Sequence, residues 1–112
     1  MCFLITVLQG FCGGKPVPLA DPFILLHEGV YYAYGTYSGE GIAVYTSTDL
    51  KRWKPAGLAL NRKDVWGNQW FWAPEVYKDG DEFIMYYSAE EHICAARGKS
   101  PLGPFVQQEK RT

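Results

Sequence analysis

Hydrophobic positions in this chain come in short runs, not at helical spacing. After residue 20 the apolar and β-branched stretches are 23–26, 30–34 and 42–46, separated by turn-forming residues such as His27-Glu28-Gly29. No 3.6-residue period is sustained over a dozen residues, so the pattern predicts strands. Arg52-Trp53-Lys54 predicts a fourth strand, ended by Pro55 and Gly57. The pattern then restarts. Glu75-Val76-Tyr77 leads into Lys78-Asp79-Gly80-Asp81, where the Asp-Gly pair is a strong hairpin signal. The stretch 82–87 returns, 92–96 forms a third strand, and Phe105-Val106 begins a fourth.

The two halves align with each other. Pro22 and Pro74, Leu50 and Leu102, and Trp53 and Phe105 are each 52 residues apart, and Ile42 and Ile93 are 51 apart. A four-stranded unit repeating at this length is the signature of a propeller blade. The expected fold is therefore all-β, with about two four-stranded antiparallel blades, one near 18–60 and the other near 70–112. Two blades do not close a ring, and each must bury its faces against a neighbour. A small β-sandwich or barrel built from the same strands is the competing architecture.

Composition narrows the classes of function. The 112 residues carry a formal net charge of −1, with no basic run and no acidic tail, so nothing suggests nucleic acid. Cys2, Cys12 and Cys94 have no metal-ligand or disulfide spacing, and Cys94 reads as a buried thiol. Residues 1–17 read as a flexible or signal-like segment. The apolar stretch 2–8 suits the core of an export signal but lacks a positively charged start, and it is too short to span a bilayer. A secreted or periplasmic location is slightly favoured, with no membrane role.

Two constellations could carry chemistry. Asp21 precedes Pro22 at the start of the first strand. An Asp before Pro often only begins a turn, but an innermost propeller strand lines the central channel, where a partly desolvated carboxylate can act as a base. The second constellation is Trp70-Phe71-Trp72-Ala73-Pro74-Glu75. Its aromatics read as packing between blades or as a platform for the apolar face of a sugar ring. Trp72 is expected near the channel, with Trp70 or Phe71 packed or at its rim. Glu75 suggests a partner carboxylate for Asp21, although a structural hydrogen bond or a substrate contact fits it better. Tyr37 is counted among the substrate-contacting residues. His27 and His92 are expected to be solvent-exposed and have no metal-site spacing.

Five motifs in order resemble glycoside hydrolase family 43: Ala20-Asp21-Pro22-Phe23-Ile24, Gly29-Val30-Tyr31-Tyr32, Ser47-Thr48-Asp49-Leu50-Lys51-Arg52-Trp53, Trp72-Ala73-Pro74-Glu75-Val76 and Ser100-Pro101-Leu102-Gly103-Pro104-Phe105. The resemblance spans about 18–109. It implies part of a five-bladed propeller from a family of inverting glycosidases acting on plant-type glycans such as arabinan, xylan or arabinoxylan. It also implies that Asp21 is the general base and that Trp72 lines the sugar subsite. Glu75 stands where many members have Asp. No cofactor is implied, although some relatives hold calcium. Five such blades need roughly 250 residues. The 112-residue chain is therefore expected to be a fragment that lacks the general acid and is inactive alone.

The implied partner is an oligo- or polysaccharide. A non-catalytic carbohydrate-binding or interaction module using the 70–72 aromatics is the alternative. Open blades would also leave apolar faces exposed, which invites self-association.

Overall fold

The structure, a computed structural model, describes residues 19–38, 40–65 and 71–107. The expected N-terminal segment 1–17 lies outside these residues. Strands β1 (Ala20–His27), β2 (Val30–Ser38), β3 (Gly41–Ser47) and β4 (Lys54–Asn61) form one antiparallel sheet in sequential order. Strands β5 (Trp72–Asp79), β6 (Glu82–Ala89) and β7 (His92–Gly98) form a second meander of the same kind. Among the described residues, the expected fourth strand of the second unit is represented by an isolated antiparallel bridge between Arg97 and Val106.

Tight turns set these registers. Glu28 and Gly29 both have positive φ between β1 and β2, as do Glu90 and Glu91 between β6 and β7. Positive φ at both central residues gives a two-residue loop the twist that matches its flanking strands. The second of these turns has no glycine, so its sequence gives little warning of it.

The fourth strand departs from expectation. It does not end at Pro55 and Gly57 but runs through both to Asn61. As the outermost strand of its sheet, β4 can accommodate a residue without an N–H. Gly57, at φ 91°, lies within a register irregularity opposite β3.

The core lies between the two sheets. Tyr34, Ile42, Val44, Ala59 and Leu60 from the first meet Val76, Phe83, Met85, Tyr87, Cys94 and Ala96 from the second. Burying each large apolar side chain stabilises the pair by roughly 1.5–3 kcal/mol. The alternation is regular along β6, where Phe83, Met85 and Tyr87 are buried and Tyr86 between them is exposed. His27, expected at the surface, is instead half-buried edge-on against Phe83, with ring centroids 5.0 Å apart. Its position at the end of an inward-facing row turns the imidazole toward the second sheet. Cys94 is a buried thiol, as expected.

Polar links fix how the sheets meet. Tyr34 Oη donates to the carbonyl of Pro101 at 2.5 Å. The Phe105 N–H donates to the carbonyl of Ala59 at 2.8 Å, and the Phe105 ring is fully buried edge-on to Tyr34. A Cβ at Gly103 would come within 2.4 Å of the Ala59 carbonyl oxygen, so this approach requires glycine. The segment after β7 thus docks on β2 and β4 of the first sheet.

Candidate functional site

The two sheets begin alike. In β1, Ala20 pairs with Thr36 and Phe23 with Tyr34, leaving Asp21-Pro22 opposite Gly35 alone. In β5, Trp72 pairs with Ser88 and Glu75 with Tyr86, leaving Ala73-Pro74 opposite Tyr87 alone. Each is a bulge with proline as its second residue, a place where a missing N–H leaves no ladder bond unmade. Bulges re-aim side chains and are frequent beside active sites. A third irregularity falls at Tyr37, between the pairs Thr36–Ile42 and Ser38–Gly41.

These irregular points converge. Thr36, the ladder partner of Ala20, donates its hydroxyl to the carbonyl of Phe71 at 2.6 Å. The residues adjoining this link are Asp21, Tyr37 and Trp72. Their strand positions therefore gather at one end of the paired sheets, where β1, β2 and β5 meet. The side chains of Asp21, Tyr37 and Trp72 lie outside the described residues, as does the whole of Trp70.

Phe71 does not serve as an exposed platform. Its ring is 1% exposed and packs against Tyr87, with centroids 6.3 Å apart. It is a core anchor immediately before β5.

Glu75 is not the counterpart of Asp21. The registers match Glu75 to Phe23 and place Ala73 where Asp21 stands in the first sheet. Glu75 is exposed and accepts a hydrogen bond from Tyr77 Oη at 2.6 Å. That bond pushes the Tyr77 phenol above its ordinary pKa. The Tyr77 ring in turn lies edge-on to Phe23 at 5.9 Å, so Glu75 is tied to the junction of β1 and β5 through Tyr77. Sequence reasoning overlooked Tyr77. Its i+2 spacing from Glu75 on a strand was the available signal.

The Ser47-Thr48-Asp49 turn is structural. Asp49 Oδ1 accepts the amides of Arg52 and Lys51 at 2.9 and 2.8 Å, and Ser47 Oγ accepts those of Asp49 and Leu50. Two surface recesses of about 410 and 430 Å³ lie against β3, β4 and the turn between them. Neither touches the convergence of β1, β2 and β5, and shape alone does not outweigh the bulge geometry there. Among the described residues, no group of three His, Cys, Asp or Glu side chains could hold a metal ion, and no helix is long and apolar enough to cross a membrane.

Comparison with known proteins gives a consistent result. Residues 15–112 match the family described as glycosyl hydrolases family 43. The chain is 30% identical over 104 residues to an extracellular exo-α-(1→5)-L-arabinofuranosidase of Cellvibrio japonicus, covering 87% of this chain and 28% of that protein. Among solved structures it resembles an endo-1,4-β-xylanase from Bacteroides thetaiotaomicron, with 48% identity and a TM-score of 0.80 over 85% of this chain and 34% of the other. It also resembles an α-L-arabinofuranosidase from Clostridium thermocellum, with 26% identity and a TM-score of 0.70 over 93% of this chain and 38% of the other. The chain thus spans about a third of the length of these relatives, and its two sheets are blades of their β-propeller fold.

Proposed function

This chain belongs to glycosyl hydrolases family 43, and from that premise we propose that it supplies the base side of a site for inverting hydrolysis of plant-type glycans such as arabinan, xylan or arabinoxylan. Asp21 is the general base. It accepts a proton from a water that attacks the anomeric carbon, while an acid protonates the departing oxygen on the opposite face. Trp72 is the sugar platform, with Trp70 at its rim and Tyr37 and Glu75 contacting substrate nearby.

The observation that carries this reading is the asymmetry of two equivalent bulges. The first sheet has Asp21 at the bulge and the second has Ala73. If the bulge served only to start a strand, no carboxylate would be needed there. The hydrogen bond from Thr36 to Phe71 adds proximity, because it ties the neighbour of Asp21's strand start to the residue before Trp72. The similarity to an arabinofuranosidase named as extracellular supports export as well as a pentose substrate.

The test is Asp21→Asn in the intact protein, followed by reducing-sugar release from arabinan and xylan. General base catalysis is worth roughly 10²–10⁴-fold, and a loss of that size is expected with oligosaccharide binding retained. Wild-type turnover by Asp21→Asn would sink the assignment. Binding of oligosaccharide with no turnover by the unsubstituted protein would favour a carbohydrate-binding module instead.

A further inference from the structure

We infer that Thr36 is a positioning residue for the sugar subsite, its hydroxyl holding the start of β5, and with it Trp72, against the bulge that carries Asp21. This rests on the roles proposed above for Asp21 and Trp72.

The Thr36 side chain is separate from its own ladder. Its backbone pairs with Ala20 on one side and Ile42 on the other, while Oγ1 reaches across to the Phe71 carbonyl at 2.6 Å in a part-buried setting. The described core between the two sheets is apolar, and apolar packing is non-directional. A hydrogen bond adds a direction. Phe71 is then held from two sides, its ring buried against Tyr87 and its carbonyl fixed by Thr36. The following residue inherits that placement. Misplacement of a catalytic group by about 1 Å can cost on the order of 10²-fold in rate, so a directional link between base and platform has a functional consequence.

The repeat supports a polar role for this position. Ser88 occupies the same point in the second sheet, opposite Trp72 as Thr36 is opposite Ala20. Space-filling alone would be served by valine, whereas both blades place a hydroxyl here. A staple that merely joins the blades is the competing account, and it predicts loss of stability without a selective loss of sugar affinity.

Thr36→Val removes the donor at nearly constant shape, and Thr36→Ser restores it. Calorimetric titration of the intact protein with xylotriose and with arabinotriose, alongside tryptophan emission and thermal unfolding, separates the accounts. Thr36→Val is expected to bind more weakly by up to about tenfold, the ceiling reached if the whole net worth of this internal hydrogen bond is lost from the bound state, and Thr36→Ser within about twofold of the parent. Trp72→Ala is the control that removes the platform. If the parent binds, Trp72→Ala does not and Thr36→Val binds normally, the inference about Thr36 falls while the subsite stands. If the parent binds neither sugar, the subsite reading falls and takes this inference with it. Should Thr36→Val fail to fold, Thr36→Ala takes its place, and unfolding of both overturns the assignment in favour of the staple.

Discussion

Ile42 and Ile93 are the same residue at the same point of two successive blades. Each pairs with a hydroxyl residue of the central strand, Thr36 and Ser88. Ile42 is fully buried and Ile93 is 88% exposed. Tyr34 and Tyr86 repeat the lesson, the first fully buried and the second 44% exposed, although both sit opposite the residue that follows the bulge. The side of the first blade that bears Ile42 is covered by the second blade, whereas among the described residues nothing covers the matching side of the second blade. Local pattern sets the strand and its register; the neighbouring sheet decides what that strand buries.

The largest expected effect follows from the isoleucines. Ile42→Ala should lower unfolding free energy by about 2–5 kcal/mol, the range for truncating a buried aliphatic side chain. Ile93→Ala should stay within about 0.5 kcal/mol of the parent, as exposed substitutions do. Urea unfolding of both variants measures the difference. Similar losses at the two sites would show that Ile93 is covered in solution and would break the comparison.

A smaller contrast is expected between the tyrosines. Tyr34→Phe deletes the donor to the Pro101 carbonyl and should cost about 1 kcal/mol, the net value of a typical internal hydrogen bond. Tyr86→Phe should be close to neutral by the same denaturation measurement. A larger loss at Tyr86 would point to a buried role that its exposure does not suggest.

The smallest effect is a difference in pH response between two turns. The amides of Arg52 and Lys51 hold the Asp49 carboxyl well below the usual carboxylate range. A depressed folded pKa gives stabilisation that is complete above the unfolded value of about 3.9 and is lost as pH falls through the folded value. The turn near Ser100 relies on a hydroxyl that accepts the Leu102 amide at 3.1 Å, with nothing comparable to titrate. Amide chemical shifts of Lys51 and Arg52 should therefore move only below about pH 3.9, while that of Leu102 stays flat. Movement of the Lys51 and Arg52 signals near neutral pH would show that another group controls the first turn.

Much of the fold was legible because strands write themselves in apolar runs and turns in glycine. The hairpin at Asp79-Gly80, the 52-residue offset and the buried Cys94 all follow from local pattern. Strand β4 was not legible in full, because Pro55 and Gly57 normally signal an end and only an outer position tolerates them. His27 looked like a surface turn residue until Phe83 was packed against it. Phe71 and its tryptophan neighbours were indistinguishable as aromatics, and only packing assigned Phe71 to the core. Glu75 resembled a second carboxylate of the Asp21 kind, yet the 52-residue offset already sets Ala73 in Asp21's place, and the registers of the two bulges agree.

The sequence by itself determined the strand content, the repeat and the single Asp-Pro at the start of the first unit, because these depend on side-chain alternation and backbone preference within a few residues. Tertiary structure alone decided which face of each blade is covered. It also decided that Thr36 reaches Phe71 across a separation of 35 residues. Such facts depend on how two sheets dock, and docking is set by the summed fit of many side chains that no local window contains.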